Sequence, residues 1–477
     1  MTDTTAVPGS WGELLGRDYG RATTVLAGGV ALYAINEFIT MSLLPSVVAD
    51  IGGARLYAWV TTVYLVASVV SATTVGPVLT RFGPRRSYLG ALLFFAGGTA
   101  VCAAAPSMTV LLAGRLAQGL AGGVLAGLGY AVISAALPER LWTRATAVVS
   151  AMWGVGTLIG PASGGLFAQF GLWRWGFGLL MFGAVLMAVL VPIALPSRGG
   201  ATEQRVRIPV RSLALLGAAA LMVSVAAIPR NPAITVGLLV SAAVAVAVFV
   251  VVDRGSAAHV LPRRTFEPGP LKWIYLTMGL LMAATMVDMY APLFGQRLGG
   301  LPPAAAGFLG AALSVGWTAA EIRSASIADR RVVARVVRWA PAVMAAGLGL
   351  SVLAIRDGAG PIAIAAWALA LAVSGAGIGA AWPHLSVWAM GSAGGASAGG
   401  ASVGGASVDE PGEQAVAAAA INTVQLMCAA FGAGVAGVVV NLRAEPDAPA
   451  AQWLFAGFAG LAAVGWLASS RAAGTPG

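Results

Sequence analysis

Charge is what this sequence has least of. Of 477 residues only 10% are Asp, Glu, Lys or Arg, against about 25% in ordinary soluble domains. A soluble fold of this size would have too few charges to keep its surface wet. Disorder needs the opposite composition, low hydrophobicity with many charges. Lysine occurs once, as Lys272, with Leu271 before it. A phosphate-binding P-loop needs Gly-Lys-Ser/Thr, so the chain has no ATPase motif of its own. The two cysteines, Cys102 and Cys428, lie in separate apolar segments and read as small packing residues. His259 and His384 have no metal-ligand neighbour, and no nucleophile–base cluster appears. Neither a metal, nor a cofactor, nor an enzymatic activity is therefore expected. The first 22 residues carry Asp3, Glu13 and Asp18 and no short apolar core, so no cleavable signal peptide is expected.

What the sequence has in abundance is apolar length. Residues of the AVILMFWYC set make up 58%, and the mean hydropathy is +0.85. A spanning helix takes about 20 apolar residues. Runs bounded by charges and Pro/Gly punctuation predict fourteen: 23–49, 56–79, 87–104, 107–136, 145–169, 175–195, 212–229, 232–252, 271–294, 303–322, 336–355, 361–389, 414–440 and 450–469. None alternates polar and apolar residues as a barrel strand would, so the fold class is an all-α membrane protein with 14 transmembrane helices.

The net charge of +10 is not a nucleic-acid footprint, because the basic residues sit in small clusters at the ends of apolar runs. Alternate connections hold 21 of the 28 Lys and Arg on one side and 6 on the other, with Arg115 inside a span. The positive-inside rule then puts both termini in the cytoplasm of a multi-pass cell-membrane protein. The organisation reads as a cytoplasmic segment 1–22, a six-helix bundle 23–196, a linker with two extra spans 197–270, and a second six-helix bundle with a short tail 271–477. Gly391 to Val408 reads as a flexible cytoplasmic loop. Two six-helix blocks suggest a transporter built from repeats, with its site at their interface. The repeat is faint in the letters: GVGTLIGPASGG in the fifth span faces AAFGAGVAGVVV in the thirteenth.

Several motifs carry a resemblance. After the second span come Gly76, Arg81, Gly83, Arg85 and Arg86, spaced as in G-x-x-x-D-R-x-G-R-R, with Thr80 at the acidic position and Pro84 at the first paired arginine. The fourth span contains Gly114-Arg115-Leu-Ala-Gln118-Gly119. The fifth contains Gly156, Gly160, Pro161, Gly164 and Gly165 in the spacing G-x-x-x-G-P-x-x-G-G, followed by Trp173-Arg174-Trp175. The first span gives Glu37-Phe38-Ile-Thr-Met-Ser-Leu-Leu-Pro45 and then Asp50. Together these resemble the major facilitator superfamily, and the fourteen-span layout looks like its drug:proton antiporters. The resemblance implies two pseudo-symmetric six-helix bundles with two extra spans between them. It makes the glycine, proline and arginine positions conformational motifs, and lines the cavity with spans one, four, nine and twelve.

An ionisable residue inside the bilayer defaults to a functional reading. Glu37 lies about 14 residues, roughly 21 Å, from the inner end of its span, and Arg115 roughly 12 Å from the outer end of the fourth. Both fall in the outer half of the bilayer, and Asp288 lies outward in the ninth span. Glu37 is the expected proton carrier, tuned by Arg115, with Asp288 second. Glu321 is expected in an interfacial ion pair beside Arg323. Tyr33, Phe38, Gln118, Tyr290, Trp382 and Trp388 are expected along the substrate cavity, where aromatics and acids suit lipophilic or cationic molecules. The sequence thus predicts a monomeric, proton-coupled exporter of small molecules by alternating access, its partners being protons, substrate and the lipid bilayer. Two other readings stay open: export of an endogenous metabolite, sugar or lipid, and a non-transporting sensor or envelope-assembly partner.

Overall fold

The computed structural model describes residues 10–195, 208–229, 231–327, 329–393, 411–442 and 447–473. The basic stretch 197–207 and residues 394–408 of the expected flexible loop lie outside the described residues, as do Arg230 and Arg443. Among the described residues thirteen helices are long and apolar enough to cross a membrane, and a shorter apolar helix, Val210–Ala226, stands where the seventh span is expected. The fourteen predicted runs thus match fourteen apolar helices in order.

The chain divides into two compact units. One comprises Met1–Gly53 and Ala67–Ile208, the other Ala54–Val66 and Pro209–Gly477. The two added helices, Val210–Ala226 and Pro232–Gly255, belong to the second unit. Ser224 and Gly434 carry the packing of the first of these against the thirteenth span (Pro411–Asn441): a β-carbon at Gly434 would sit 3.0 Å from the Ser224 hydroxyl. The same hydroxyl donates to Thr62, and the Trp59 indole donates to the Ser224 carbonyl at 2.8 Å.

The internal repeat, faint in sequence, is plain in how the helices pack. In the first unit a β-carbon at Gly123 of span four (Met108–Ala131) would overlap the Ser68 carbonyl of span two (Tyr57–Ala72). Eight spans further on, one at Gly375 of span twelve (Pro361–Ala393) would overlap the Leu313 carbonyl of span ten (Pro303–Ser324). A β-carbon at Gly98 of span three would lie 2.8 Å from Gln118 N of span four, and one at Gly347 of span eleven (Arg330–Ala354) 2.6 Å from Ala370 O of span twelve. Gly160 of span five (Trp142–Gln169) lies against Ile39 of span one (Gly20–Ile51), as Gly432 of span thirteen lies against Ala283 of span nine. Lipid tails are as apolar as leucine, so burial gives little drive for these helices to associate; small residues let backbones approach closely instead. The repeat is conserved as a set of gaps, which letter-by-letter comparison registers poorly.

Local breaks also follow from single residues. After the second span a helical segment begins at Val75 and is interrupted at Gly83, with φ 74° and ψ 169°, a region essentially reserved for glycine. Pro84 then opens the third span; its fixed φ and missing N–H suit a first-turn position. That accounts for proline where the resembling motif has arginine. Ser87 closes the corner by donating to the Gly83 carbonyl at 2.7 Å.

A short N-terminal turn, Trp11–Leu14, is capped by Ser10 and tied to the start of span five. Arg140 Nε donates to Glu13 Oε1 at 3.0 Å, and the Arg144 guanidinium lies 5.8 Å from the Trp11 ring centroid. The hydrogen bond from Arg140 holds the Glu13 carboxyl below the usual carboxylate range. A lowered carboxyl adds stability above its unfolded pKa of about 4.3 and loses it as pH falls through the folded value. Amide exchange over residues 10–19, corrected for intrinsic rates, is therefore expected to stay slow at pH 5 and rise only in stronger acid. Glu13→Gln should show the fast exchange at neutral pH, and added salt should narrow the difference because both side chains are solvent-accessible. In the same unit, Gly160→Leu is expected to cost about 1–3 kcal/mol by overpacking against span one, read as a lower melting midpoint in detergent.

Candidate functional site

Span one carries a polar stripe through an otherwise apolar helix. Asn36 and Thr40 are one turn apart on it, both buried, and both turn toward Arg115 of span four. Arg115 is 1% exposed. Its Nη1 donates to Asn36 Oδ1 at 3.1 Å, Thr40 Oγ1 at 3.3 Å and Gln118 Oε1 at 2.9 Å. Gln118 then uses the other end of its amide, donating from Nε2 to Thr99 Oγ1 of span three at 2.9 Å, while the Cys102 thiol lies 3.5 Å from Gln118 Oε1. A charged side chain at this depth costs several kcal/mol unless it is solvated by other means. Here neutral amide and hydroxyl oxygens stand in for part of its water shell. Gln118, expected along the substrate cavity, is 0% exposed and committed to this network.

Glu37 follows Asn36 directly. It is half-buried, and its Oε2 is enclosed without a hydrogen-bond partner. The Arg115 charge is within electrostatic reach of it. The two residues expected to work together are therefore neighbours, with Asn36 tied to Arg115 in between. Tyr33, one turn before Glu37, is 2% exposed and stands edge-on to Trp153 of span five at 5.6 Å. Phe38 faces the same span, where its Cβ abuts Gly160. Gly156, Gly160 and Gly164 all press against span one between Ala34 and Ser42. The exporter-like glycine motif thus forms the wall behind the Glu37 stripe.

At the far end of span one, Asp50 accepts from Trp173 Nε1 at 3.0 Å and from Arg174 Nη1 at 2.7 Å. Arg174 Nη2 donates to the Ala105 carbonyl at 3.3 Å, and its guanidinium lies 4.1 Å from the Trp173 ring centroid. This clasp fastens the ends of spans one, three and six together. Elsewhere, Arg81 lies over the Phe82 ring at 5.4 Å. Among the described residues Arg81 and Arg85 have no carboxylate within ion-pair distance.

The second unit holds its own cluster. Span nine is helical over Leu271–Thr285, turns to a 3₁₀ segment at Met286–Tyr290, and resumes over Ala291–Gly299. Pro292 causes the break: it lacks the N–H that would bond the carbonyl four residues earlier, which belongs to Asp288. Asp288 is 5% exposed within this break. Two residues on, Tyr290 stacks on Tyr57 with centroids 4.7 Å apart and planes at 20°, and lies 6.1 Å from Phe294. The Tyr57 hydroxyl donates to Met289 O at 3.1 Å. Trp382 lies 5.5 Å from Trp317, and Trp388 is half-buried in the same span. The expected Glu321–Arg323 pair does not form: Glu321 Oε2 accepts from Trp317 Nε1 at 2.9 Å, because a residue one full turn away shares its face and one two positions away does not. His384 contacts Ser324 at 2.9 Å. Among the described residues no group of His, Cys, Asp and Glu has the arrangement of a metal site.

Reasoning from sequence missed Asn36, Thr40, Thr99 and Tyr57. The first three were findable as amide and hydroxyl side chains isolated in apolar runs, where such groups seek partners across helices. Tyr57 had no such signal, since an aromatic near a span end reads as an interface anchor.

The profile of the Major Facilitator Superfamily matches residues 26–408; the chain belongs to that superfamily. A protein of Mycobacterium tuberculosis described as a probable multidrug-efflux transporter is 57% identical over 481 residues, covering 99% of this chain and 98% of the relative. The multidrug transporter protein MdtP of Bacillus subtilis is 24% identical over 283 residues, covering 57% of this chain and 52% of the relative. Among solved structures, the nucleoside transporter NupG has a TM-score of 0.65 at 13% identity, covering 94% of this chain and 98% of that one. An auto-inhibited POT family peptide transporter also has a TM-score of 0.65, at 15% identity with 96% and 97% coverage. These structures share the fold.

The network around Arg115 makes a ranking. Gln118→Leu removes an acceptor from a buried cation and is expected to cost about 2–3 kcal/mol; Thr99→Val, at the far end, should cost closer to 1 kcal/mol. Melting midpoints of the purified variants check the order, and its reversal would mean that Arg115 draws no support from Gln118.

Proposed function

We propose that this chain is a proton-coupled efflux transporter, an antiporter that exports lipophilic or cationic small molecules by alternating access. It works as a monomer in the cell membrane with both termini cytoplasmic, the orientation favoured by the arginine-rich connections. It performs transport and no covalent catalysis. The observation that carries the proton step is Glu37: a carboxyl with an enclosed, unpartnered oxygen, one residue from the side chain that Arg115 grips. A carboxyl beside a fixed cation, alternately dry and wetted, takes up and gives back a proton as its surroundings change. The protonated form leaves Arg115 less neutralised, and that difference in charge biases one arrangement of the helices over the other. Asp288, at the proline-made break of span nine, is the second candidate for such exchange. The aromatic groups Tyr33–Trp153 and Tyr57–Tyr290 offer apolar faces with affinity for cations. Export as the direction is supported by the glycine motif of span five and by the name of the 57%-identical relative.

The test is efflux of a lipophilic cation such as ethidium from proteoliposomes under an imposed pH gradient. Glu37→Gln is expected to lower gradient-driven efflux by at least about tenfold, the size of effect reached when a group needed for proton transfer is removed, while ethidium binding persists. Full pH-dependent efflux in that variant would remove Glu37 as the carrier. Absence of ethidium movement in the unaltered protein, with or without the gradient, would remove the substrate class.

A further inference from the structure

The second unit contains a cavity that the transport reading does not use. It has a volume of about 660 Å³ and lies among the second added helix, the linker that follows it, span nine and span thirteen. On span nine its wall runs through Lys272, Tyr275, Leu276, Gly279, Leu280 and Ala283, one continuous helix face. From Lys272 to Ala283 that face extends for about 16 Å, roughly half of a hydrocarbon layer of about 30 Å. One leaflet gives a lipid tail that same reach. The remaining walls are almost wholly apolar, with Phe249, Met427 and Phe431 among them.

The linker over this cavity is built in place. The Asp253 carboxylate is 0% exposed and accepts from Val260 N at 2.7 Å and Leu261 N at 3.0 Å, which fixes the turn that brings Thr265 and Phe266 onto the cavity. Thr265 is 6% exposed, and its hydroxyl has no hydrogen-bond partner. An unmet buried hydroxyl costs free energy, and a ligand oxygen in the cavity would relieve it. At the mouth the chemistry turns cationic. Lys272 also lines an adjoining cavity of about 510 Å³ together with Trp273, Ser470 and Arg471. Lys272 and Arg471 flank the Trp273 ring at 5.8 and 4.5 Å. Among the described residues neither cation has an ion-pair partner, and neither cavity has an acidic lining residue. Arg263 and Arg264 stand exposed on the same linker.

We infer that this pocket binds an acidic phospholipid: one acyl chain fills the apolar cavity, the phosphate meets Lys272 and Arg471, and an ester or headgroup oxygen satisfies the Thr265 hydroxyl. Basic pockets between membrane helices recognise anionic headgroups in this way. A neutral lipid would use the apolar wall and leave both cations unmatched.

The experiment is native mass spectrometry of the full chain extracted from vesicles of equal phosphatidylglycerol and phosphatidylcholine. The unaltered protein is expected to retain phosphatidylglycerol in about tenfold preference. Lys272→Gln combined with Arg471→Gln should abolish that preference while the protein still melts cooperatively, its midpoint lowered only slightly by loss of the two contacts with the Trp273 ring. Thr265→Val keeps the side-chain volume and should weaken phosphatidylglycerol retention several-fold. Equal retention of the two lipids by the unaltered protein would overturn the proposal, as would a preference that survives the double substitution. Stoichiometric displacement of the lipid by saturating ethidium would also overturn it, by giving the cavity to a drug-like molecule.

Discussion

A guanidinium inside the hydrocarbon layer governs the first half of this molecule. Arg115 cannot shed its charge, so its neighbours must replace water. Asn36, Thr40 and Gln118 do so, and Thr99 holds Gln118 in position. Three helices are thereby tied to one cation. Around them the helix contacts are small-residue contacts, as they must be where apolar burial gives no preference for protein over lipid. The result is a hydrogen-bonded polar centre wrapped in close-packed helices. Glu37 stands at the edge of that centre with one oxygen unspoken for, so a change in its charge is felt by the whole group.

The second half solves a related problem through its backbone. Pro292 opens span nine: lacking an N–H, it leaves the Asp288 carbonyl to the Ala291 N–H one residue earlier, and Asp288 sits in the resulting 3₁₀ break. Close approach of helices recurs in both halves eight spans apart, at Gly123 and Gly375, Gly98 and Gly347, Gly160 and Gly432. The two added helices do not interrupt this correspondence. They lie within the second unit, against span thirteen, and with the linker after them they enclose a lined cavity.

Much of this was readable in the letters, for physical reasons that differ by feature. Span number and order came through because hydrocarbon thickness imposes one length on every helix. Arg115 and Glu37 stood out because charge is rare in such runs. Gly83 and Pro84 were legible only as positions of a motif; the corner they make follows from their backbone limits and emerged with the structure. The Glu321–Arg323 pair failed because proximity along a chain is a poor guide to proximity on a helix, and Trp317 held the right register. That Gln118 joins Arg115 to Thr99 was hidden, because Thr99 belongs to another helix. The Asp253 clasp was invisible for a like reason, since its partners are backbone N–H groups whose direction no side chain reveals.

The scarcity of lysine has a practical side. Lys272, exposed at the rim of the lined cavity and beside Trp273, is the chain's single side-chain amine. Apart from the α-amine, an acylating dye therefore has one address on the molecule, within reach of an indole that can quench it. A chain otherwise almost featureless to covalent labelling carries its own reporter at the one spot where headgroup and helix would meet.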